Sequence, residues 1–220
     1  MSDKLQYIST GKTAPEQLLN IQRALDHGAT WIQLRWKEAP AQAYHELAED
    51  VRKLCTTYRA TYIVNDEAAM AAAVDADGVH LGLQDTAVAD ARALLSPGKI
   101  IGGTANTILD VQQRRQEGCD YIGLGPFRFT TTKAKLSPIL GAEGYREIIA
   151  ELERTGAPYP PIYAIGGIQL ADLPLLRSLG LYGVAISGLI TEQPGLITTI
   201  YNTLNDTLTD TPHGQLTHRQ

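Results

Sequence analysis

Gln33-Leu34-Arg35-Trp36-Lys37 sets an amide and two cations at alternate positions. Alternate side chains of an extended chain share a face, so Gln33, Arg35 and Lys37 would converge, with two cations spaced to suit a diphosphate. The plainer alternative is a strand end whose charges simply face water. Asp66 and Asp85 follow two neighbouring apolar runs. Two such carboxylates can share one hard cation, because magnesium takes one or two protein carboxylates and completes its shell with water and phosphate oxygens. Each is also suited to cap a helix, Asp66 ahead of 67–74 and Asp85 ahead of Ala87. A third address for an anion follows Tyr121, where an apolar run passes through Gly125 and Pro126 and delivers Thr130, Thr131, Thr132 and Lys133 in succession. Three hydroxyls and an amine can bind phosphate with several donors at once. An ordinary polar surface loop is the competing explanation.

These residues need elements to hold them. Short β-rich runs at 5–8, 31–35, 61–65, 78–81, 100–104, 121–124, 162–165 and 183–187 alternate with amphipathic segments at 15–27, 41–58, 67–74, 87–95, 108–117, 143–154, 171–179 and 194–204. Gly28, Gly118 and Gly180 each fall just after an amphipathic run and shortly before a strand, as helix stops do. The joints around Gly28, Val74, Gly118 and Gly180 look like variants of one pattern, a weak internal repeat. Eight alternating units with nearly continuous apolar strands predict a parallel sheet covered on all sides, a single-domain (β/α)8 TIM barrel over 1–204. An open doubly wound sheet is the alternative. The segment 205–220 is polar and threonine-rich and is expected to be a flexible tail.

A barrel puts its chemistry at the C-terminal ends of the strands, where these candidates fall. The fifth strand adds Thr104 and Asn106 at the same rim. The seventh and eighth end in Gly166-Gly167 and Ser187-Gly188, the loops from which barrels build a backbone phosphate site. His80, alone inside a strand, is expected to be a hydrogen-bonded interior residue.

Composition narrows the partners. The chain has 220 residues, 44% of them apolar, and a net charge of −5, which argues against a general nucleic-acid binder. Neither a membrane span nor a leader is apparent, and a cytoplasmic location is expected. Cys55 and Cys119 have no partner at metal-ligand spacing and are expected to be buried thiols. Homo-oligomerisation is left open, since no exposed apolar stripe stands out.

From Trp31 to Ile190 the chain resembles the thiamine phosphate synthase family. The resemblance is carried by Gln33-Leu34-Arg35-x-Lys37, Asn65-Asp66, Gly78-Val79-His80-Leu81-Gly82 with Asp85, Gly125-Pro126 with Thr130-x-Thr132-Lys133, Ala164-Ile165-Gly166-Gly167-Ile168, and Ile186-Ser187. It implies a (β/α)8 transferase that joins a hydroxymethylpyrimidine diphosphate to a thiazole monophosphate, with diphosphate leaving first. It implies that Gln33, Leu34, Arg35, Trp36, Lys37, Asn65, Thr104 and Lys133 contact the pyrimidine diphosphate, with Arg35, Lys37 and Lys133 as the catalytic cations. It further implies that Asp66 and Asp85 hold Mg2+, and that Thr130, Thr131, Thr132, Gly167, Ile186 and Ser187 receive the thiazole phosphate. Trp36, Leu83, Thr104 and Asn106 depart from the family's usual residues. The alternatives are a thiazole tautomerase, for which the sixth-strand loop lacks the expected histidine, and a binder of thiamine intermediates without turnover.

Overall fold

The computed structural model describes residues 3–37, 39–129 and 138–206. Eight parallel strands close in sequence order into a barrel, with β1 (Leu5–Ile8) pairing both β2 (Trp31–Leu34) and β8 (Gly183–Ile186). Between them run β3 (Thr61–Asn65), β4 (Gly78–Leu81), β5 (Ile100–Ala105), β6 (Tyr121–Leu124) and β7 (Ile162–Ile165). The helices α1 (Ala14–Asp26), α2 (Ala41–Tyr58), α3 (Ala68–Ala73), α4 (Val88–Leu94), α5 (Ile108–Gln116), α6 (Gly141–Thr155) and α7 (Leu173–Ser178) follow β1 to β7 in turn. Past β8 come a short α8 (Gly188–Glu192), a 3-10 turn and α9 (Ile197–Asn205). Among the described residues no helix is long and apolar enough to cross a membrane.

Strand alternation builds two cores. Leu34, Tyr62, Val64, Val79, Leu81 and Ile122 face outward and pack with helix residues such as Leu47, Val51, Ala71 and Ile149. Trp31, Ile63, Tyr121 and Tyr163 form a separate inner cluster. There the indole meets both tyrosine rings edge-on at 4.9 and 5.1 Å, the geometry that ring quadrupoles favour. Cys55 and Cys119 are buried, and burial pushes their thiols up to about 12 and about 11, which leaves them protonated and inert.

The repeated helix-to-strand joint has one hydrogen-bond signature. Ala29, Ala60, Ala76, Cys119 and Leu181 each donate a backbone N–H to the carbonyl five residues back, on Ala24, Cys55, Ala71, Arg114 and Leu176. This closure requires the preceding residue to turn left-handed. Gly28, Gly118 and Gly180 fill that position, but Arg59 (φ 55°) and Asp75 (φ 49°) do so after α2 and α3, where the sequence shows no glycine. At Gly118 (φ 76°) a Cβ would meet nothing within 4 Å, so the cost of a side chain there is conformational alone. Gly118→Ala is expected to lower stability by about 1–2 kcal/mol. Denaturant unfolding of the two proteins checks it.

Two segments differ from expectation. The segment 171–179 begins as a 3-10 turn, Leu170–Asp172, before α7, and the residues before 194 contain α8. α8 is too short to show a period, and Gln193 separates it from the 3-10 turn Pro194–Leu196 that leads into α9.

Candidate functional site

β2 ends at Leu34, one residue short of expectation, because the backbone of Arg35 is held by side chains instead of a strand neighbour. Its N–H donates to Ser9 Oγ at 3.0 Å, and its carbonyl accepts from Gln17 Nε2 at 3.2 Å. Gln17 also donates to the Gly11 carbonyl at 3.0 Å, and Asn20 to that of Thr10 at 2.8 Å. α1 thus fixes both the β1–α1 loop and the start of the β2–α2 loop. Burial lowers the Arg35 pKa while the charge of Asp66 opposes that, so the guanidinium is partly stripped of water and faces a carboxylate.

Asp66 leaves β3 with φ 66°, left-handed, and its N–H donates to the His80 carbonyl at 2.8 Å. Its Oδ2 lies 3.5 Å from Lys37 Nζ. The carboxyl is pushed up to about 6, first by burial and then by the hydrogen bond and charge of Asp85, against the pull of Lys37 and Arg35. Lys37 is 55% exposed, so water screens its share. Asp85 reaches this point through a tight turn. Its Oδ2 accepts the Gly82 N–H at 2.6 Å, and a Cβ on Gly82 would stand 2.8 Å from that same oxygen.

Neither acid caps a helix. The N-cap residue is Glu67 for α3 and Ala87 for α4, and neither provides a side-chain cap. The two carboxylates adjoin at a cost that shows in the raised Asp66 pKa, and this is the donor chemistry that a divalent cation would relieve. No group of three or more His, Cys, Asp or Glu that could hold a metal occurs among the described residues. A pair suits an ion that keeps water and phosphate oxygens in its shell.

In the protein without ligands the raised Asp66 pKa has a stability consequence. A carboxyl that binds its proton more tightly when folded stabilises fully below about pH 4, and that contribution is lost as pH rises to about 6. Asp66→Asn is therefore expected to gain stability over the parent across that window. The gain should be about 1–2 kcal/mol, discounted because 27% of the side chain is in water. Thermal melts of both proteins between pH 4 and 7 check the sign.

The other expected contacts fall into place unequally. Gln33 and Asn65 are buried inside the barrel, at 2% and 8% exposure. Thr104 is half-buried at the rim end of β5, with Oγ1 3.0 Å from His80 Nε2. Leu34 and Ile186 belong to the outer core, so a ligand could meet only their backbone. Trp36 packs against that core and also lines a cavity of about 400 Å3 with Arg35, Lys37, Thr10, Gly11, Lys12, Gln17 and Pro40. Lys12 stands in Ser9-Thr10-Gly11-Lys12-Thr13, hydroxyls around an amine, so a signal for it was present in the sequence. Asn106 donates its side-chain amide to the Gly125 carbonyl, tying β5 to the β6–α6 loop. Thr130, Thr131, Thr132 and Lys133 lie outside the described residues.

Gly166 and Gly167 have φ of 91° and 68°, and a Cβ on either would stand 2.7 Å from Pro126 Cβ or 2.8 Å from Arg128 Cβ. They are glycine because the β6–α6 loop lies against them, a reason the sequence does not display. Arg128 locks that contact, donating to the Gly167 carbonyl at 3.0 Å and pairing with the buried Asp172. Burial would raise the Asp172 pKa, but Arg128 and the Gln169 N–H outweigh it and hold the carboxyl low. Ser187 is half-buried and precedes α8, with its carbonyl accepting the Ile190 and Thr191 N–H groups. Gly167 and Ser187 thus flank the barrel mouth on β7 and β8.

The comparisons agree over almost the whole barrel. The family model of thiamine monophosphate synthase matches residues 6–190. A thiamine-phosphate synthase of Flavobacterium psychrophilum is 55% identical over 193 residues, which cover 88% of this chain and 93% of that one. One of Phocaeicola vulgatus is 45% identical, covering 86% and 92%. The solved structure of thiamine phosphate pyrophosphorylase from Pyrococcus furiosus superposes with a TM-score of 0.78 at 28% identity, covering 92% of this chain and 97% of that one. With its closed eight-stranded barrel and these relatives, the chain belongs to the thiamine-phosphate synthase family.

Proposed function

We propose that this chain condenses a hydroxymethylpyrimidine diphosphate with a thiazole monophosphate to give thiamine phosphate, and that diphosphate departs before the thiazole nitrogen attacks. The observation that carries the order of events is the meeting of Arg35, Lys37, Asp66 and Asp85 at one point of the rim. A departing diphosphate carries charge away from carbon, so fixed cations stabilise the transition state and no general base is required for that step. Arg35 and Lys37 hold the leaving group, a role the reading also gives to Lys133. Asp66 and Asp85 would hold Mg2+, which when bound neutralises diphosphate charge as it develops.

Gln33, Asn65 and Thr104 present an amide, an amide and a hydroxyl to the pyrimidine diphosphate, while Leu34 and Trp36 shape the backbone between Gln33 and Lys37. Gly167, Ile186 and Ser187, from the ends of β7 and β8, take the thiazole phosphate together with Thr130, Thr131 and Thr132. Holding both reactants in register accounts for the crowding of donors there. The same reading sets the reaction in the cytoplasm, on small phosphorylated substrates.

Incubating the protein with both substrates and magnesium tests the proposal. Diphosphate and thiamine phosphate should appear in equal amounts. With the pyrimidine substrate alone, slow diphosphate release into water supports early departure. Failure to release diphosphate with any divalent cation would leave a binder without turnover.

A further inference from the structure

Inside the barrel, hydrogen bonds run in a line from β2 to β5, and the line has a direction. Gln33 Nε2 donates to Gln6 Oε1 at 2.9 Å, and Gln6 Nε2 donates to Tyr121 Oη at 3.1 Å. An amide nitrogen offers only hydrogens, so the phenol oxygen accepts there. Gln33 is hydrogen-bonded to the same phenol and, like Gln6, favours its charged form, as a donor does; Tyr121 Oη also lies 3.0 Å from His80 Nδ1. The phenol is 1% exposed, and burial raises its pKa so that it keeps its proton. That proton points to Nδ1, which accepts it with a lone pair. The ring hydrogen is then on Nε2, 3.0 Å from Thr104 Oγ1, where the threonine oxygen accepts. The hydroxyl's own hydrogen remains to be given. Room for the line comes from glycine: a Cβ on Gly102 would fall 2.1 Å from the Tyr121 ring, and one on Gly123 3.2 Å from His80 Cε1.

An isolated threonine hydroxyl is a rotor that donates or accepts as its surroundings ask. Here one of its lone pairs is engaged from below by a fixed N–H, on the end of four buried side chains, with Gln6 at 1%, Gln33 at 2% and His80 at 5% exposure. We infer that Gln6, Tyr121 and His80 are positioning residues that make Thr104 an obligate hydrogen-bond donor to an acceptor atom of the bound pyrimidine diphosphate. This rests on the reading that Thr104 touches that substrate. Mere satisfaction of buried polar groups needs the bonds but not their direction. Turning both glutamine amides over would reverse the line, place the hydrogen on Nδ1 and make Thr104 donate downward.

The direction is measurable without turnover. In protein labelled with 15N at histidine, with the His80 signals assigned by their absence from His80→Gln, Nε2 is expected to carry the hydrogen and Nδ1 to be bare at neutral pH. A hydrogen on Nδ1 overturns the inference even if Tyr121→Phe and Thr104→Ala misfold. Tyr121→Phe should then disturb the tautomer and raise the KM for the pyrimidine diphosphate about tenfold, the scale of one hydrogen bond, with the KM for the thiazole phosphate unchanged. Thr104→Ala should lose as much as Tyr121→Phe or more, and Thr104→Ser, which keeps the hydroxyl, should recover most of that loss. If Thr104→Ala alters pyrimidine diphosphate use and a folded Tyr121→Phe does not, the positioning role fails while the substrate assignment stands. If Thr104→Ala changes neither KM nor turnover, the substrate assignment itself fails.

Discussion

Asp66→Asn is expected to lower turnover by about 10^3-fold while the barrel stays folded, the scale typical of removing one charge-stabilising group from an active site. Asparagine is the informative replacement. Asp66 has φ 66°, which asparagine tolerates and alanine does not, so the backbone turn after β3 survives and only the charge goes. Its partner Asp85 keeps its bond to the Gly82 N–H. What disappears is the carboxylate whose pKa is held up at about 6, first by burial and then by Asp85. If the pair exists to hold magnesium, the magnesium concentration giving half-maximal rate should rise strongly in the variant. Asp85→Asn should behave the same way. Steady-state rates across a magnesium series, alongside circular dichroism of each variant, check both statements. A near-parental rate with unchanged magnesium dependence would reduce Asp66 to a charge partner of Lys37.

The barrel was legible because its signals are local. Tyr62 to Val64 and Tyr121 to Leu124 are apolar on both faces, and only a sheet covered inside and out asks for that. The joint after each helix was legible where glycine marked it and hidden where Arg59 and Asp75 take the same left-handed turn. The site was half legible for a related reason. Alternation set Gln33 on one face of β2, the order of strands brought Asp66 beside Asp85, and only the closed barrel put the Leu34 side chain in the outer core, away from a ligand. Sequence could not say that the strand stops before Arg35, because Ser9 and Gln17 decide that from another loop and another helix. Nor could it show that Gly166 and Gly167 yield to Pro126 and Arg128, or that Arg128 is tied to Asp172. Each of these depends on a partner distant in the chain. His80 was expected to be an interior hydrogen-bonded residue and is one, but the identity of its partners, Tyr121 and Thr104, required the closed barrel.

Arg35→Ala is expected to cost about 10^2–10^3-fold in kcat, and Arg35→Lys to recover only part of that. Lysine restores the charge but not the planar fork, which can hold two oxygens of one phosphate at once. The surroundings favour the fork. The backbone of Arg35 is pinned by Ser9 and Gln17, so the guanidinium pivots from a fixed point. Burial already lowers its pKa, so a compact ammonium, which loses more hydration on entering the same place, would be the poorer occupant. Lys37, with its side chain 55% exposed, makes the contrast: Lys37→Arg should be tolerated far better than Arg35→Lys. The loss should appear in kcat more than in the KM for the thiazole phosphate, since the cation matters most when diphosphate carries its full departing charge. Measuring kcat and both KM values for the three variants checks this. Equal tolerance at the two positions would mean that Arg35 contributes charge alone, and that the fork and its fixed pivot have no part in the departure of diphosphate.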